Sequence, residues 1–310
     1  MEKILLTGAS GFVGQELRKK LEGKYELHIL ERYVTGRYGL DKNTHLHYAN
    51  LTDYTAVKKL VRSVRPNYCI HLAAISAVSF SYENYIEVTE TDYTGTINLA
   101  ETCYRENPDF KQFIFSGTSE EYGTTLRSKN KKLKEESKLE PNSPYAVAKV
   151  AADYYLQYMA KAYDFPYTII RPFNTYGRKD NDHFFVERVV TQMLKGGPVT
   201  LGDPNAVRDW LYIDDHVEGY VKAINNKKAI GETIQLCTGK GYTTKETAEK
   251  IGKIIGYKGD IKWGVTAQRP LDAYVLIGDN SKAKNILGWS PKYTFEEGIR
   301  KTINYWKSSI

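Results

Sequence analysis

The chain is predicted to be an α/β protein: a doubly wound parallel sheet with helices on both faces and a smaller mixed C-terminal lobe. Three observations predict it. Short apolar runs alternate with longer amphipathic stretches, and a glycine-rich turn joins the first run to the first such stretch. After Pro172 the rhythm loosens and glycine and proline become dense, as in GGPVTLGDPN. Strand, helix, strand at this spacing means βαβ units with right-handed crossovers.

Taken in order, strand-like runs are expected at residues 3–7, 26–30, 45–50, 68–73, 112–116 and 167–172. Each is a short apolar or β-branched run. Helix-like stretches at 13–21, 54–64, 85–105 and 145–162 lie between them. The last is announced by Ser143, a good N-cap residue, and by Pro144 at the first helical position. Further amphipathic stretches follow at 184–194, 215–225, 244–255 and 295–306. The expected division is 1–173 and 174–310. Residues 209–238, a helix followed by the strand GETIQLCT, are expected to return to the first sheet.

Composition removes several function classes. A chain of 310 residues buries a large core without staples, and at about 150 residues per domain it suggests two domains. Hydrophobic residues at 41% and charged residues at 26% exclude a collagen-like or disordered chain. Cys69, Cys103 and Cys237 are odd in number and form no CxxC pair, so neither a disulfide framework nor a thiolate metal site is expected. No metal ligand set stands out, and a reducing cytoplasm is the expected compartment. No apolar run reaches the roughly 18 residues that span a bilayer, and MEKILLTGASGFVG does not read as a signal peptide. The net charge is 44 − 37 = +7. Its one dense basic cluster, residues 127–138, carries six basic and two acidic residues and reads as a solvated loop, so no nucleic-acid partner is expected.

Gly8, Gly11 and Gly14 form G-x-x-G-x-x-G between the first strand and the first helix. The first allows a tight turn, the second lets backbone N–H groups approach a pyrophosphate, and the third permits close helix–strand packing. Glu31 ends the second strand, where a carboxylate bonds adenosine ribose hydroxyls and repels a 2′-phosphate. That favours NAD. Arg32 follows immediately and could bind the phosphate of NADP instead.

In NSPYAVAK, Tyr145 and Lys149 lie four apart on one helical face. A nearby ammonium and a nicotinamide cation are expected to lower the phenol's pKa from about 10, making it a usable acid/base.

With these motifs the sequence resembles the extended short-chain dehydrogenase/reductase family, in the nucleotide-sugar epimerase/dehydratase branch. TGASGFVG, HLAA, GTSEEYG, YAVAK, RPFNTYG, RDWLYIDD and SKAKNILGW carry the resemblance across essentially the whole chain. It implies a Rossmann-type first lobe for NAD(P), a second lobe for a nucleotide sugar, and a homodimer or homotetramer. The helices at 85–105 and 145–162 would pair between subunits, with Tyr154, Tyr155, Tyr158 and Met159 spread over more than one face. The implied cofactor set is Gly8, Gly11, Phe12, Val13, Gly14, Glu31, Arg32, Asn50, Leu51, Leu72, Ala73 and Ala74 with Tyr145 and Lys149. Thr118 would bond the sugar 4-hydroxyl, Tyr145 take its proton, and Lys149 orient the cofactor ribose and lower the phenol's pKa. Ser119, Asn174, Arg208 and Arg269 would hold substrate, the arginines on the diphosphate. One departure is Asp92, where the family usually has asparagine.

The third catalytic position separates reactions. Simple 4-epimerases usually carry a small apolar residue where this chain has Glu120. Thr118–Ser119–Glu120 resembles the tripeptide of GDP-mannose 4,6-dehydratases and, less closely, that of dTDP-glucose 4,6-dehydratases. A dehydratase needs a base because the 4-ketone acidifies the C5 proton. The resemblance therefore implies a 4,6-dehydratase with a GDP-mannose-like substrate. The alternatives are a 4-epimerase of UDP-glucose or UDP-N-acetylglucosamine type, a GDP-4-keto-6-deoxymannose reductase, and a non-enzymatic dinucleotide sensor.

Overall fold

The structure is a computed structural model that describes residues 1–33, 41–179, 181–265 and 269–310. Its first half runs β1 (Lys3–Thr7), α1 (Phe12–Leu21), β2 (Glu26–Glu31), β3 (Thr44–Tyr48), α2 (Tyr54–Val64), β4 (Tyr68–His71), α3 (Val78–Glu83), α4 (Tyr85–Thr89), α5 (Gly95–Arg105), β5 (Gln112–Ser116) and α6 (Pro144–Tyr163). The second half runs β6 (Tyr167–Pro172), β7 (Asn174–Tyr176), α7 (Phe185–Leu194), β8 (Val199–Thr200), β9 (Val207–Tyr212), α8 (Ile213–Ala223), β10 (Glu232–Leu236), β11 (Gly241–Thr243), α9 (Thr244–Ile255), β12 (Ile261–Lys262), β13 (Val275–Leu276), α10 (Ser281–Leu287) and α11 (Phe295–Lys307).

Seven parallel strands form the large sheet in the order β3-β2-β1-β4-β5-β6-β10. Alternation along each strand feeds two cores. On β1, Ile4 and Leu6 join Leu17 of α1 and Val217 and Tyr220 of α8 on one face. Leu5 faces the other way, toward Val57 and Val61 of α2, Leu99 of α5, and Ala152 and Leu156 of α6. The strand order reverses between β1 and β4, so the crevice beyond their C-terminal ends is the natural ligand site of such a sheet.

The returning stretch is α8 and β10, with β10 pairing parallel to β6. Residues 209–212 belong instead to β9, the centre of a second sheet with β7, β11 and β13. The smaller lobe packs Val189, Trp210, Ile251 and Ile299 into its own core. Asp215 ties the lobes together: its carboxylate accepts from Lys292 N and Tyr293 N at 2.9 and 3.0 Å.

Two elements depart from the periodicity. The helix expected over 85–105 is broken into α4, a π-turn (Glu90–Thr94) and α5. Helix α3 gives no sequence signal of its own. β3 and β4 also end earlier than expected, leaving Asn50, Leu51, Leu72, Ala73 and Ala74 in the loops beyond their C-terminal ends. Among the described residues no helix is long and apolar enough to cross a membrane.

Candidate active site

A cleft of about 1610 Å³ opens at the C-terminal ends of β1, β2, β4 and β5 and runs beneath the second lobe. It exceeds the size of an ordinary small-ligand pocket, roughly 300–1,000 Å³. Every catalytic, cofactor and substrate residue expected from the sequence lines it.

The glycine turn fits a dinucleotide. Gly8 has φ +70, a conformation side chains rarely adopt, and a Cβ there would lie 2.6 Å from Ala73 N. A Cβ on Gly14 would lie 2.0 Å from the Gly8 carbonyl oxygen. No side chain caps the first turn of α1 and no acidic residue occupies it, so its N–H groups remain available to an anion.

At the far end of the cradle, Glu31 is buried and accepts from Ser10 N and Ser10 Oγ, both at 2.9 Å. This fixes its carboxylate against the glycine turn. Arg32 turns elsewhere: it pairs with Glu87 at 3.1 Å and stacks over Tyr33.

The Thr118 turn is anchored from below. Thr118 N donates to Glu121 Oε1 at 2.8 Å. Glu121 Oε2 lies 2.8 Å from Arg171 Nε, and Arg171 also reaches Asp153 Oδ2 at 2.8 Å. Arg171 further donates to the Tyr122 hydroxyl and to Glu135 O. Glu121, Asp153 and Arg171 are all buried. Burial pushes the Glu121 carboxyl up to about 8, against the pull of Arg171. Glu121 is thus a structural brace, while its neighbour Glu120 is turned to the cleft. Glu120 is 7% exposed, and among the described residues its Oε2 has no hydrogen-bond partner.

Tyr145 opens α6 directly behind the Ser143 cap, whose hydroxyl accepts from Ala146 N. The Tyr145 and Thr118 hydroxyls are hydrogen-bonded. Lys149 lies one turn on, with Nζ 6.0 Å from the Tyr145 ring centre and donating to Ser116 O at 2.9 Å. The expected lowering of the phenol's pKa is not found. Burial holds Tyr145 well above its ordinary value, and the carboxylates of Asp92, Glu120 and Glu121 push the same way, with the Thr118 bond opposing. Burial also lowers Lys149, opposed by Asp92 and Glu121. A phenol in this pocket keeps its proton chiefly because burial disfavours the phenolate, and its acidic neighbours add to the effect.

Asp92 sits in the π-turn with its Oδ1 accepting from Ile75 N at 2.8 Å. Its Oδ2 is buried and unpartnered among the described residues, and burial raises its carboxyl, opposed by Lys149. The kinked ladder turns this side chain inward.

From the smaller lobe, Asn174 on β7 presents a buried Oδ1 with no partner among the described residues. Arg208 and Arg269 converge on Asp272, at 3.1 and 3.6 Å. That pairing gathers two guanidiniums at one wall of the cleft. Ser119, in the turn after Thr118, is buried and lines the cleft.

A family model described as GDP-mannose 4,6 dehydratase matches residues 5–302. The chain belongs to this family, within the nucleotide-sugar epimerases and dehydratases of the extended short-chain dehydrogenase/reductases. A putative UDP-glucose 4-epimerase of Methanocaldococcus jannaschii is 28% identical over 99% of both chains. The crystal structure of a UDP-glucose 4-epimerase from Thermotoga maritima, with UDP-glucose, superposes with a TM-score of 0.90 at 30% identity over 99% of both chains. A dTDP-glucose 4,6-dehydratase from Bacillus anthracis, in complex with NAD, gives 0.87 at 25% identity over 99% of this chain and 97% of that one.

Other lining residues of this family member escaped the sequence reading, Arg178, His216, Asp272 and Thr175 among them. Arg178 follows the RPFNTYG landmark and lies 4.5 Å from the Phe12 ring centre. His216 follows the two aspartates of RDWLYIDD, bonds Thr175 Oγ1 at 2.9 Å, and is held by burial at about 3, hence neutral. Asp272 lies three residues beyond Arg269. Thr175 lies within RPFNTYG, next to Asn174, and carries no chemical signal of its own in the sequence.

Proposed function

We propose that the protein is a nucleoside-diphosphate-hexose 4,6-dehydratase that works with bound NAD. The observation that carries this reading is Glu120: a buried carboxylate with a free oxygen, facing the cleft beside the Thr118–Tyr145 pair. The glycine cradle, the uncapped N-terminus of α1 and the braced Glu31 support NAD, and Arg32 pairs away from the ribose end. The neighbour from Bacillus anthracis carries NAD. We further assign the cofactor to residues 1–173 with α8 and β10, and the nucleotide sugar to the rest.

When bound, the nicotinamide cation supplies the two-electron acceptor for C4 and a positive charge that offsets the local carboxylates. Thr118 orients the sugar 4-hydroxyl and Tyr145 takes its proton, relayed by their shared hydrogen bond. Lys149 holds the ribose side of the site from Ser116. With C4 a ketone, the C5 proton is acidic, and Glu120 removes it. The C6 hydroxyl then leaves as water with one of the two protons taken up, hydride would return to C6, and the other proton restores C5, so there is no net oxidation. Arg208 and Arg269 clamp the diphosphate once Asp272 gives way, and Asn174 and Ser119 fix the sugar end.

The second reading is a 4-epimerase, favoured by the names of the Methanocaldococcus and Thermotoga relatives. The resemblance to GDP-mannose dehydratases favours a GDP-hexose, whereas these relatives are named for UDP sugars. One experiment separates the readings: incubation with GDP-mannose, UDP-glucose, UDP-N-acetylglucosamine and dTDP-glucose without added cofactor, read by mass spectrometry. Loss of one water from one of them is the expected result. An unchanged mass with inverted C4 stereochemistry replaces the dehydratase with the epimerase.

A further inference from the structure

We propose that Glu26, His28 and His45 form a binding site for a divalent transition metal of the zinc class, lying across the outer edge of the large sheet. Glu26 and His28 alternate onto one face of β2, and His45 of β3 is the direct register partner of His28. No spacing motif signals the site, because its ligands come from two strands. None of the three lines the catalytic cleft.

The geometry suits one ion. Glu26 Oε1 lies 3.0 Å from His28 Nε2 and 3.9 Å from His45 Nε2, and all three ligand atoms lie within 4.8 Å of one another. Tetrahedral bonds of about 2.0–2.2 Å place ligand atoms roughly 3.4 Å apart, so shifts of about an ångström close the site. Two imidazoles and one carboxylate suit Zn²⁺, Co²⁺, Ni²⁺ or Cu²⁺ rather than the oxygen-seeking Mg²⁺ or Ca²⁺.

The surroundings orient the ligand set. The His28 ring is stacked between those of His45 and His47, with centres 4.8 and 5.2 Å away. His28 Nδ1 lies 3.0 Å from His47 Nε2. With its Nε2 on the metal, the Nδ1–H of His28 donates to His47, the outer bond that fixes a ligating histidine. Lys3 pairs with Glu26 at 3.8 Å from Oε1 but donates to Val64 O at 3.2 Å, which keeps it out of the ligand set. An ion here would staple edge strand β3 to β2.

The test uses the full chain, stripped with chelator and desalted, then titrated with Co²⁺ and, in competition, with Zn²⁺. The expected result is one saturable equivalent with the visible band of tetrahedral Co²⁺, displaced by Zn²⁺, and a rise in Tm with Zn²⁺. His45→Ala is the decisive variant, because that side chain is 48% exposed and its loss leaves the core intact. It should weaken binding at least tenfold and abolish the Tm rise, and Glu26→Gln should act in the same direction. Absence of saturable binding, thiolate-type absorption from the cysteines, or affinity unchanged in His45→Ala overturns the proposal.

Discussion

Removing Arg171 tests how the Thr118–Glu120 turn is held. Arg171→Met keeps most of the stem and deletes the guanidinium that bridges Glu121 and Asp153. Both carboxyls stay buried without a cation. Glu121 already leans toward its neutral acid, so the larger cost falls on Asp153, whose buried carboxylate loses the cation it pairs with. The expected loss is roughly 3–5 kcal/mol, typical of breaking a buried ion pair by deleting one partner. The Tyr122 hydroxyl keeps the bond it receives from Gln235, so little is added there. Urea unfolding of both proteins at pH 7 measures it. A loss under about 1 kcal/mol refutes the reasoning.

Other outcomes follow from the same site. Tyr145→Phe should leave nucleotide binding nearly intact and cut turnover by orders of magnitude, measured by steady-state kinetics and calorimetry; a fall under about tenfold, roughly 1.4 kcal/mol of barrier, points to another acid/base. Asp92→Asn removes a carboxylate that raises Tyr145, so the acidic limb of the pH profile of kcat/KM should move to lower pH, and an unmoved or alkaline-shifted limb contradicts the electrostatic account. We expect a dimer or tetramer by light scattering at micromolar concentration. Tyr85, Ile86, Val147, Tyr154 and Tyr158 on α4 and α6 leave an exposed apolar face, whereas Met159 packs into the core; a monomer contradicts it.

The large sheet was legible because its signals are local. The runs at 3–7, 112–116 and 167–172 and the helices at 54–64 and 244–255 coincide with β1, β5, β6, α2 and α9. The smaller sheets, β7, β9, β11 and β13 in one and β8 with β12 in another, were not, since all of these strands but β9 have only two or three residues and take their register from distant partners. The π-turn was hidden too: its five residues keep helical dihedrals at both ends, and one extra residue in the ladder barely disturbs apolar spacing. At the site, glycines, tyrosine and lysine announced themselves by spacing. The division of labour between Glu120 and Glu121 did not. Only the buried Arg171, fifty residues on, decides which of two adjacent glutamates is a brace and which faces the cleft.

The central claim is that Glu120 is the base for C5, and Glu120→Gln with the accepted nucleotide sugar tests it most directly. The substitution keeps size and hydrogen bonding and removes the base, while Thr118, Tyr145 and Lys149 still support oxidation at C4. The account predicts that reduced-nicotinamide absorbance builds up on adding substrate while water loss nearly stops. Water loss at the wild-type rate in this variant would remove Glu120 from the mechanism and contradict the account.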